Sequence, residues 1–268
     1  VNPKLKGKLS SSVLYAAKKI GISEIYSIGG VQAIASLAYG TKKIKKVNKI
    51  IGPGNIFVST AKKEVFGDVG IDMIAGPSEI TVVADKFSNP EWVASDLLAQ
   101  AEHDLNSQCI LISKDKKIIE MVKNSILDQL KVLPRKDIAK KSLQQNSIFI
   151  HATTDKEILY TINTIAPEHL QLAVKKYRKL VTKVTNAGSI CLGKYSAMAV
   201  TDYSAGSNHI LPTNSSAKFS SGLSVYDFYK RISYINLSKK GIESLGPSVI
   251  TLANYEGLHG HAQSIIKR

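Results

Sequence analysis

The residue types that can move protons or hold a metal gather in a few short stretches. "LLAQAEHDLNS" ends an amphipathic run on Gln100, Glu102, His103 and Asp104. Gln100 and His103 are three apart and share a helix face, so they either form a solvated helix end or point together at a ligand. "IAPEHLQL" sets Glu168 beside His169 just after Pro167, at a predicted helix start. A glutamate there suits the helix dipole. A carboxylate next to an imidazole also supplies two proton acceptors for a two-stage reaction, and both readings stand. "TDYSAGSNHILPT" carries Asp202 and His209 in a polar loop, which is either ordinary surface or a site. "NYEGLHGH" adds Glu256, His259 and His261, whose two-residue histidine spacing is not the i, i+4 pair of a helical zinc site. With six histidines in the whole chain, the convergence of four such segments singles them out.

Three weaker candidates sit at turns. "SIGGVQAIA" puts Gly29 and Gly30 between a predicted strand and a helix, with Gln32 just inside the helix. A glycine-lined helix start can receive phosphate, but the GxGxxG fingerprint is absent and a tight turn explains the pair equally. "IGPGN" lies at a strand end, and Asn55 either meets a cofactor or caps the next helix. "AGPSE" holds Ser78 in a turn without the GxSxG elbow of a nucleophilic serine; its hydroxyl is turn chemistry or lies near a sheet crevice.

Short apolar runs alternate with helical patterns along most of the chain. "EIYSIGG", "KVNKIIGPGN", "IDMIAGPSE", "EITVVAD", "QCILIS" and "NSIFIH" read as strands. "VQAIASLAYG", "NIFVSTAKKEVFG", "SNPEWVASDLLAQAEH" and "IIEMVKNSILDQLKVL" read as helices, the third with Asn89 as N-cap and Pro90 at its first position. This alternation predicts parallel sheets of the doubly wound kind. After about Gly222 the rhythm stops. Ile242, Leu245, Val249 and Leu252 recur at helical spacing, with Pro247 as a kink or helix start. The tail reads as helical, and its apolar stripe must be buried somewhere, often on a partner subunit.

The 268 residues, 44% of them hydrophobic, suffice for one large domain or two smaller ones. No apolar run is long enough to span a bilayer. Cys109 and Cys191 stand alone in apolar runs, so they form neither a disulfide framework nor a CxxC metal site. They read as small buried hydrophobes, with a reactive thiol as the alternative. The net charge of +15 comes from 36 basic and 21 acidic residues. The lysines are scattered, without the aromatic residues that stack on bases, so neither a nucleic acid nor a membrane is expected as partner. Lysine greatly outnumbers arginine, and isoleucine and asparagine are plentiful, a pattern expected of an AT-rich genome.

Taken in order, "IGGVQAIASLAYGT", "GPGNIFV", "IDMIAGPSEI", "SDLLAQAEHDLNSQ", "APEHLQL", "AGSICLG", "DYSAGSNHILPT", "FSSGLSVYDF" and "HGHAQS" closely resemble histidinol dehydrogenase, from about Leu14 to the C-terminus. The resemblance implies a cytoplasmic enzyme of histidine biosynthesis. It would oxidise L-histidinol through L-histidinaldehyde to L-histidine and reduce two NAD⁺. Zn²⁺ would be held by the residues matching Gln100, His103, Asp202 and His261, which also contact the substrate. His169 matches the general base and Glu168 the group that activates water. Ser78, His209 and Glu256 match substrate contacts, and Gln32 and Asn55 match contacts to NAD⁺. The family is a homodimer whose C-terminal tail crosses to the other subunit, so Glu256 and His261 would complete the neighbour's site.

The fold class implied is α/β: two incomplete Rossmann-like domains with mostly parallel sheets, plus a helical tail. Residues 1–77 would form the NAD side, 78–222 the zinc and substrate domain, and 223–268 the exchanged tail. The family carries a long segment ahead of the position of Val1, which supplies strands and helices to the substrate domain. The chain is therefore expected to be a C-terminal portion. A truncated, non-catalytic remnant that keeps the zinc and substrate ligands is the alternative to an active enzyme. "KYSAMAVTDY" has Ala197 and Thr201 where the family has proline and glycine, which predicts an altered loop backbone with Asp202 retained.

Overall fold

The computed structural model describes residues 1–4 and 7–268; Leu5 and Lys6, within the opening segment, lie outside the described residues. The chain divides into two compact units, Val1–Asp227 and Phe228–Arg268.

The first unit opens with helix α1 (Ser11–Lys19) and α2 (Gly30–Tyr39), then β1 (Lys49–Ile50), α3 (Ile56–Val65) and β2 (Gly70–Ile71). β1 and β2 pair in parallel as a small sheet, packed on Ile34, Ala38, Val65 and Val69. The segment Glu24–Ile28, predicted as a strand, is not one. Its residues suit extended backbone, but a strand exists only where a neighbour completes its ladder, and no described strand runs beside it.

There follow β3 (Glu79–Ala84), α4 (Pro90–Ala101), β4 (Gln108–Ser113), α5 (Lys116–Leu130), α6 (Lys136–Asn146), β5 (Ser147–His151), α7 (Asp155–Ile165), β6 (His169–Leu172), α8 (Tyr177–Val181), β7 (Ser189–Leu192) and α9 (Met198–Tyr203). The five strands form one sheet in the order β5-β4-β3-β6-β7, and every pairing is parallel. Counted within this sheet the order is third, second, first, fourth, fifth, the doubly wound arrangement. β3 is buried at all six positions because helices cover both faces. Ile80, Val82 and Leu111 meet Leu97, Leu98 and Val122 on one face. Val83, Ile110 and Ile112 meet Ile158, Ile162 and Leu180 on the other. Alternate residues of a strand point to opposite faces, so a strand between two helical layers becomes apolar throughout.

Local chemistry sets the helix boundaries. Asn89 accepts from the N–H groups of Glu91 (2.8 Å) and Trp92 (3.3 Å), with Pro90 next to it. Two further sequence expectations fail in this unit. His169 begins β6 and not a helix, because Ala166 turns left-handed (φ 51°) and closes α7 just before it. The next four residues then slot between β3 and β7. Asp202 is not in an open loop but in the last turn of α9, which also contains Thr201 and is preceded by Ala197 as N-cap.

One buried contact between α4 and β6 is polar. Gln171 Nε2 donates to Asp96 Oδ2 at 2.7 Å, and Gln171 Oε1 has no partner. Burial holds the Asp96 carboxyl above the usual range, and the Gln171 bond only partly offsets this. Both cysteines are buried. Burial pushes the Cys109 thiol up to about 12. Burial and then the charges of Asp96 and Asp202 push Cys191 to about 11.

The second unit holds α10 (Lys239–Tyr255) and α11 (His259–Ile266). Ser238 caps α10 by accepting from Gly241 N at 3.2 Å, and Pro247 lies inside the helix. The buried positions are Gly246, Ala253 and Ala262, small residues that let the two helices approach. Leu245, Val249 and Leu252 of the predicted stripe are exposed. Among the described residues no helix is long and apolar enough to cross a membrane.

Two outcomes are expected from this packing. Thiol reagent at pH 8 should find no fast-reacting cysteine in the native chain and two in denaturant; a fast native thiol would mean that the core around Cys109 or Cys191 is open. Asp96→Asn should raise the urea midpoint more at pH 8 than at about pH 4, near the ordinary aspartate value. The folded state holds the Asp96 proton more tightly than the unfolded chain, so ionisation destabilises the fold as pH rises through the raised pKa. Asparagine removes that penalty and offers Gln171 Oε1 a donor. An equal change at both pH values would refute the account.

Candidate functional site

β3 and β6 are neighbours in the centre of the sheet, with Ile80 opposite His169. Their amino ends therefore bring Ser78 and Glu79 next to Glu168 and His169. Gly188 permits the third strand to close in: a Cβ there would stand 2.6 Å from the Glu168 carbonyl, and Ser189 N donates to that carbonyl at 2.9 Å.

The two buried glutamates exchange bonds. Glu79 N donates to Glu168 Oε2 at 2.8 Å, and Glu168 N donates to Glu79 Oε2 at 3.4 Å. His169 Nδ1 lies 3.1 Å from the Glu79 carbonyl and 3.5 Å from Glu168 Oε2. A carbonyl can only accept, so Nδ1 carries the hydrogen and the lone pair of the neutral ring is on Nε2. Nε2 has no hydrogen-bond partner and stands 3.6 Å from Asp202 Oδ1. Burial by itself lowers the imidazole's pKa. The bond to Glu168, its charge, the Glu79 carbonyl and the charge of Asp202 together outweigh burial and raise it.

A cavity of about 490 Å³ opens at this sheet end, lined among others by Ser78, Gln100, His103, Glu168, His169, Asp202 and His209. Six of the seven come from the five-stranded sheet, its helices and the connecting turns, and His209 from the loop after α9. Gln100 and His103 do lie together, at the end of α4. Gln100 is buried and its Oε1 has no partner, whereas His103 is exposed. An amide oxygen, an imidazole and a carboxylate thus reach one cavity, a mixed oxygen and nitrogen donor set of the kind that holds a divalent metal. Among the described residues no three His, Cys, Asp or Glu side chains group closely enough to hold a metal by themselves. The fit to a metal therefore rests on the orphaned amide of Gln100, with His103 and Asp202 beside it.

The "IGPGN" turn also contributes to the lining. Gly52, Pro53 and Gly54 line the same cavity, and Gly52 has φ +131°, a conformation that favours glycine. The turn is held by a buried ion pair. Lys62 Nζ donates to Asp72 Oδ1 and to the Gly52 carbonyl, each at 2.5 Å, and Gly52 N donates to Asp72 Oδ2 at 2.8 Å.

The remaining candidates stand elsewhere. Gln32 is exposed on the first turn of α2. Asn55 caps α3, its Oδ1 accepting from Val58 N at 3.1 Å. Neither lines the cavity. Glu256 ends α10 and His261 lies on α11, both in the second unit. Sequence reasoning passed over Glu79, Lys62 and Asp72. A charged residue opening the apolar run "EITVVAD" was the available signal for Glu79.

Comparison with known proteins agrees with the motif resemblance. The family model described as histidinol dehydrogenase matches residues 1–268. The histidinol dehydrogenase of Pelagibacter ubique is 70% identical over 269 residues, covering 100% of this chain and 63% of that protein. That of Lactiplantibacillus plantarum is 47% identical, with the same coverage of each. The crystal structure of histidinol dehydrogenase from Elizabethkingia anophelis superposes with a TM-score of 0.91 at 42% identity, over 98% of this chain and 61% of that one. The chain spans about 63% of the length of these curated relatives. With a match along all of its residues, the chain belongs to the histidinol dehydrogenase family.

Proposed function

We propose that this chain carries the zinc and substrate chemistry of an NAD⁺-dependent oxidation of L-histidinol, through L-histidinaldehyde, to L-histidine. The observation that carries the reading is the buried Glu168–His169 pair, with His169 Nε2 unpartnered beside Gln100, His103 and Asp202. A proton acceptor thus stands next to a metal-type donor set in one cavity.

Gln100, His103 and Asp202, with His261, would hold Zn²⁺. When bound, the metal would fix the imidazole and amino nitrogens of histidinol, and NAD⁺ would take the hydride. The protein's own part is proton handling. His169 Nε2 takes the hydroxyl proton of the alcohol as the carbon loses its hydride. Glu168 draws a proton from the water that adds to the aldehyde; once His169 and Glu168 have passed their protons to solvent, His169 takes the hydroxyl proton of that hydrate in the second oxidation. A base held near the operating pH is worth about 10²–10⁴-fold in rate. Ser78, His209 and Glu256 contact the substrate. Gln32 and Asn55 contact NAD⁺; Asn55 Oδ1 is committed to its helix cap, so its Nδ2 is the group that reaches the cofactor.

The division of labour follows the same reading: residues 1–77 on the cofactor side, 78–222 on the metal and substrate side, and 223–268 exchanged within a homodimer. Exposed Leu245 and Leu252 on α10 support a partner for that tail. Free, unbridged cysteines suit a cytoplasmic protein.

The test is NADH formed per L-histidinol by the purified chain with Zn²⁺ and excess NAD⁺. Two per substrate are expected; none, from folded and zinc-loaded protein, would leave the remnant reading. His169→Ala should lower kcat by about 100-fold or more at unchanged zinc content, and unaltered turnover would remove His169 as base. His103→Ala and His261→Ala should each lower bound zinc by elemental analysis. Mixed dimers of His169→Ala with His261→Ala subunits should regain activity, and verified mixed dimers without it would refute the exchange.

A further inference from the structure

We propose that Glu79 is the positioning residue of the catalytic pair, an inference that rests on the roles given above to Glu168 and His169. Glu79 opens β3 and is only 7% exposed. Among the described residues no lysine or arginine pairs with it. A buried carboxylate without a cation is costly unless hydrogen bonds satisfy it, so its partners reveal its use.

Those partners surround the site. Its Oε1 accepts from Asn214 N at 2.8 Å and its Oε2 from Glu168 N at 3.4 Å. Its backbone N–H holds Glu168 Oε2 and its backbone carbonyl takes the His169 Nδ1 hydrogen, so the carboxylate acts on the pair by fixing the backbone that makes these two bonds. One residue therefore bonds both proposed catalytic groups and a loop. That loop is unusual: Asn214 and Ser215 are both left-handed, at φ 52° and 59°. It also clamps the turn that carries Ser78, because Gly76 N donates to Thr213 Oγ1 at 2.6 Å.

Three consequences follow. The backbone carbonyl of Glu79 sets the tautomer of His169, with its lone pair on Nε2, and the carboxylate's bonds to Glu168 N and Asn214 N hold that stretch of backbone in place. Glu168 has Oε2 occupied, which leaves Oε1 to take a proton from water. Ser78 is held on the turn between Gly76 and Glu79. A stability role alone would not require a carboxylate here, since an apolar side chain at the head of a buried strand avoids the desolvation altogether.

Glu79→Gln keeps the volume but turns one acceptor into an amide NH2, a donor that faces a backbone N–H. Glu79→Asp keeps both acceptors and shortens the reach. Both are made in the whole zinc-loaded chain, with folding checked by circular dichroism. The first readout is the ring ¹⁵N spectrum at a pH where the imidazole is neutral, with His169 assigned by His169→Gln. Wild type should show Nδ1 protonated and Nε2 bare. Glu79→Gln keeps the backbone carbonyl but loses the clamp that positions it, so the His169 signals should move toward a mixture of tautomers while those of the other histidines stay. The second readout is turnover: kcat should fall roughly tenfold to hundredfold, with KM for L-histidinol and zinc content little changed. Wild-type tautomer and kcat in the variants, even with a lowered Tm, would make Glu79 merely structural and overturn the proposal. So would a wild-type His169 protonated on Nε2. If Glu79→Gln does not fold, Glu79→Asp is read by the same criteria. If the wild-type chain forms no NADH, the proposed function fails for this chain, and the ¹⁵N spectra still decide the role of Glu79.

Discussion

The site depends on the pairing of β3 with β6, closed at its amino end by the exchange between Glu79 and Glu168. Two carboxylates lie side by side there in a buried setting, where like charges repel and desolvation is costly. The arrangement persists because each carboxylate accepts a backbone N–H of the other residue, and a third amide, from Asn214, shares the load on Glu79. Burial still holds the Glu79 carboxyl above its usual range, and the charge of Glu168 adds to that. The central place of the two strands makes this tolerable. With helices on both faces and strands on both sides, the backbone cannot shift to relax the contact.

The "IGPGN" turn at the cavity uses the same device with the opposite sign. Lys62 and Asp72 are both buried, and their charges meet each other and the backbone of Gly52. Removing one partner of such a pair leaves an unpaired buried charge, which typically costs about 3–5 kcal/mol. The cavity thus borders two polar clusters whose bonds are spent on backbone. Gln100 Oε1 and His169 Nε2 are buried groups of its lining without a hydrogen-bond partner, atoms that gain from a ligand or a proton. The chain's large positive charge takes little part: of its many lysines, Lys62 alone is buried among the described residues.

Much of the secondary structure was legible because its causes lie within a few residues. Asn89 and Pro90 announce α4, and the apolar runs of β3, β4 and β5 announce strands. Where the cause was distant, the reading failed. Pro167 and Glu168 have the local chemistry of a helix start, yet β6 forms because β3 and β7 offer it two ladders. "EIYSI" has the residues of a strand and lacks a described neighbour. The polar segments of the site were legible as segments. Gln100, His103, Glu168, His169, Asp202 and His209 stood out as chemistry-bearing types, and the tertiary fold brings these six to one cavity.

Composition, caps and spacing are local properties, and they carry the α/β class, the ends of the main helices and the set of residues able to do chemistry. How those residues act depends on contacts between distant parts of the chain. The bonds that orient His169 and hold Glu168 come from Glu79, about ninety positions earlier in the chain, and Asn214 reaches back 135 positions to the same side chain. No periodicity spans such distances. They close because burying the two faces of the five-stranded sheet sets the strand order, and the strand order brings the amino ends of β3 and β6 together.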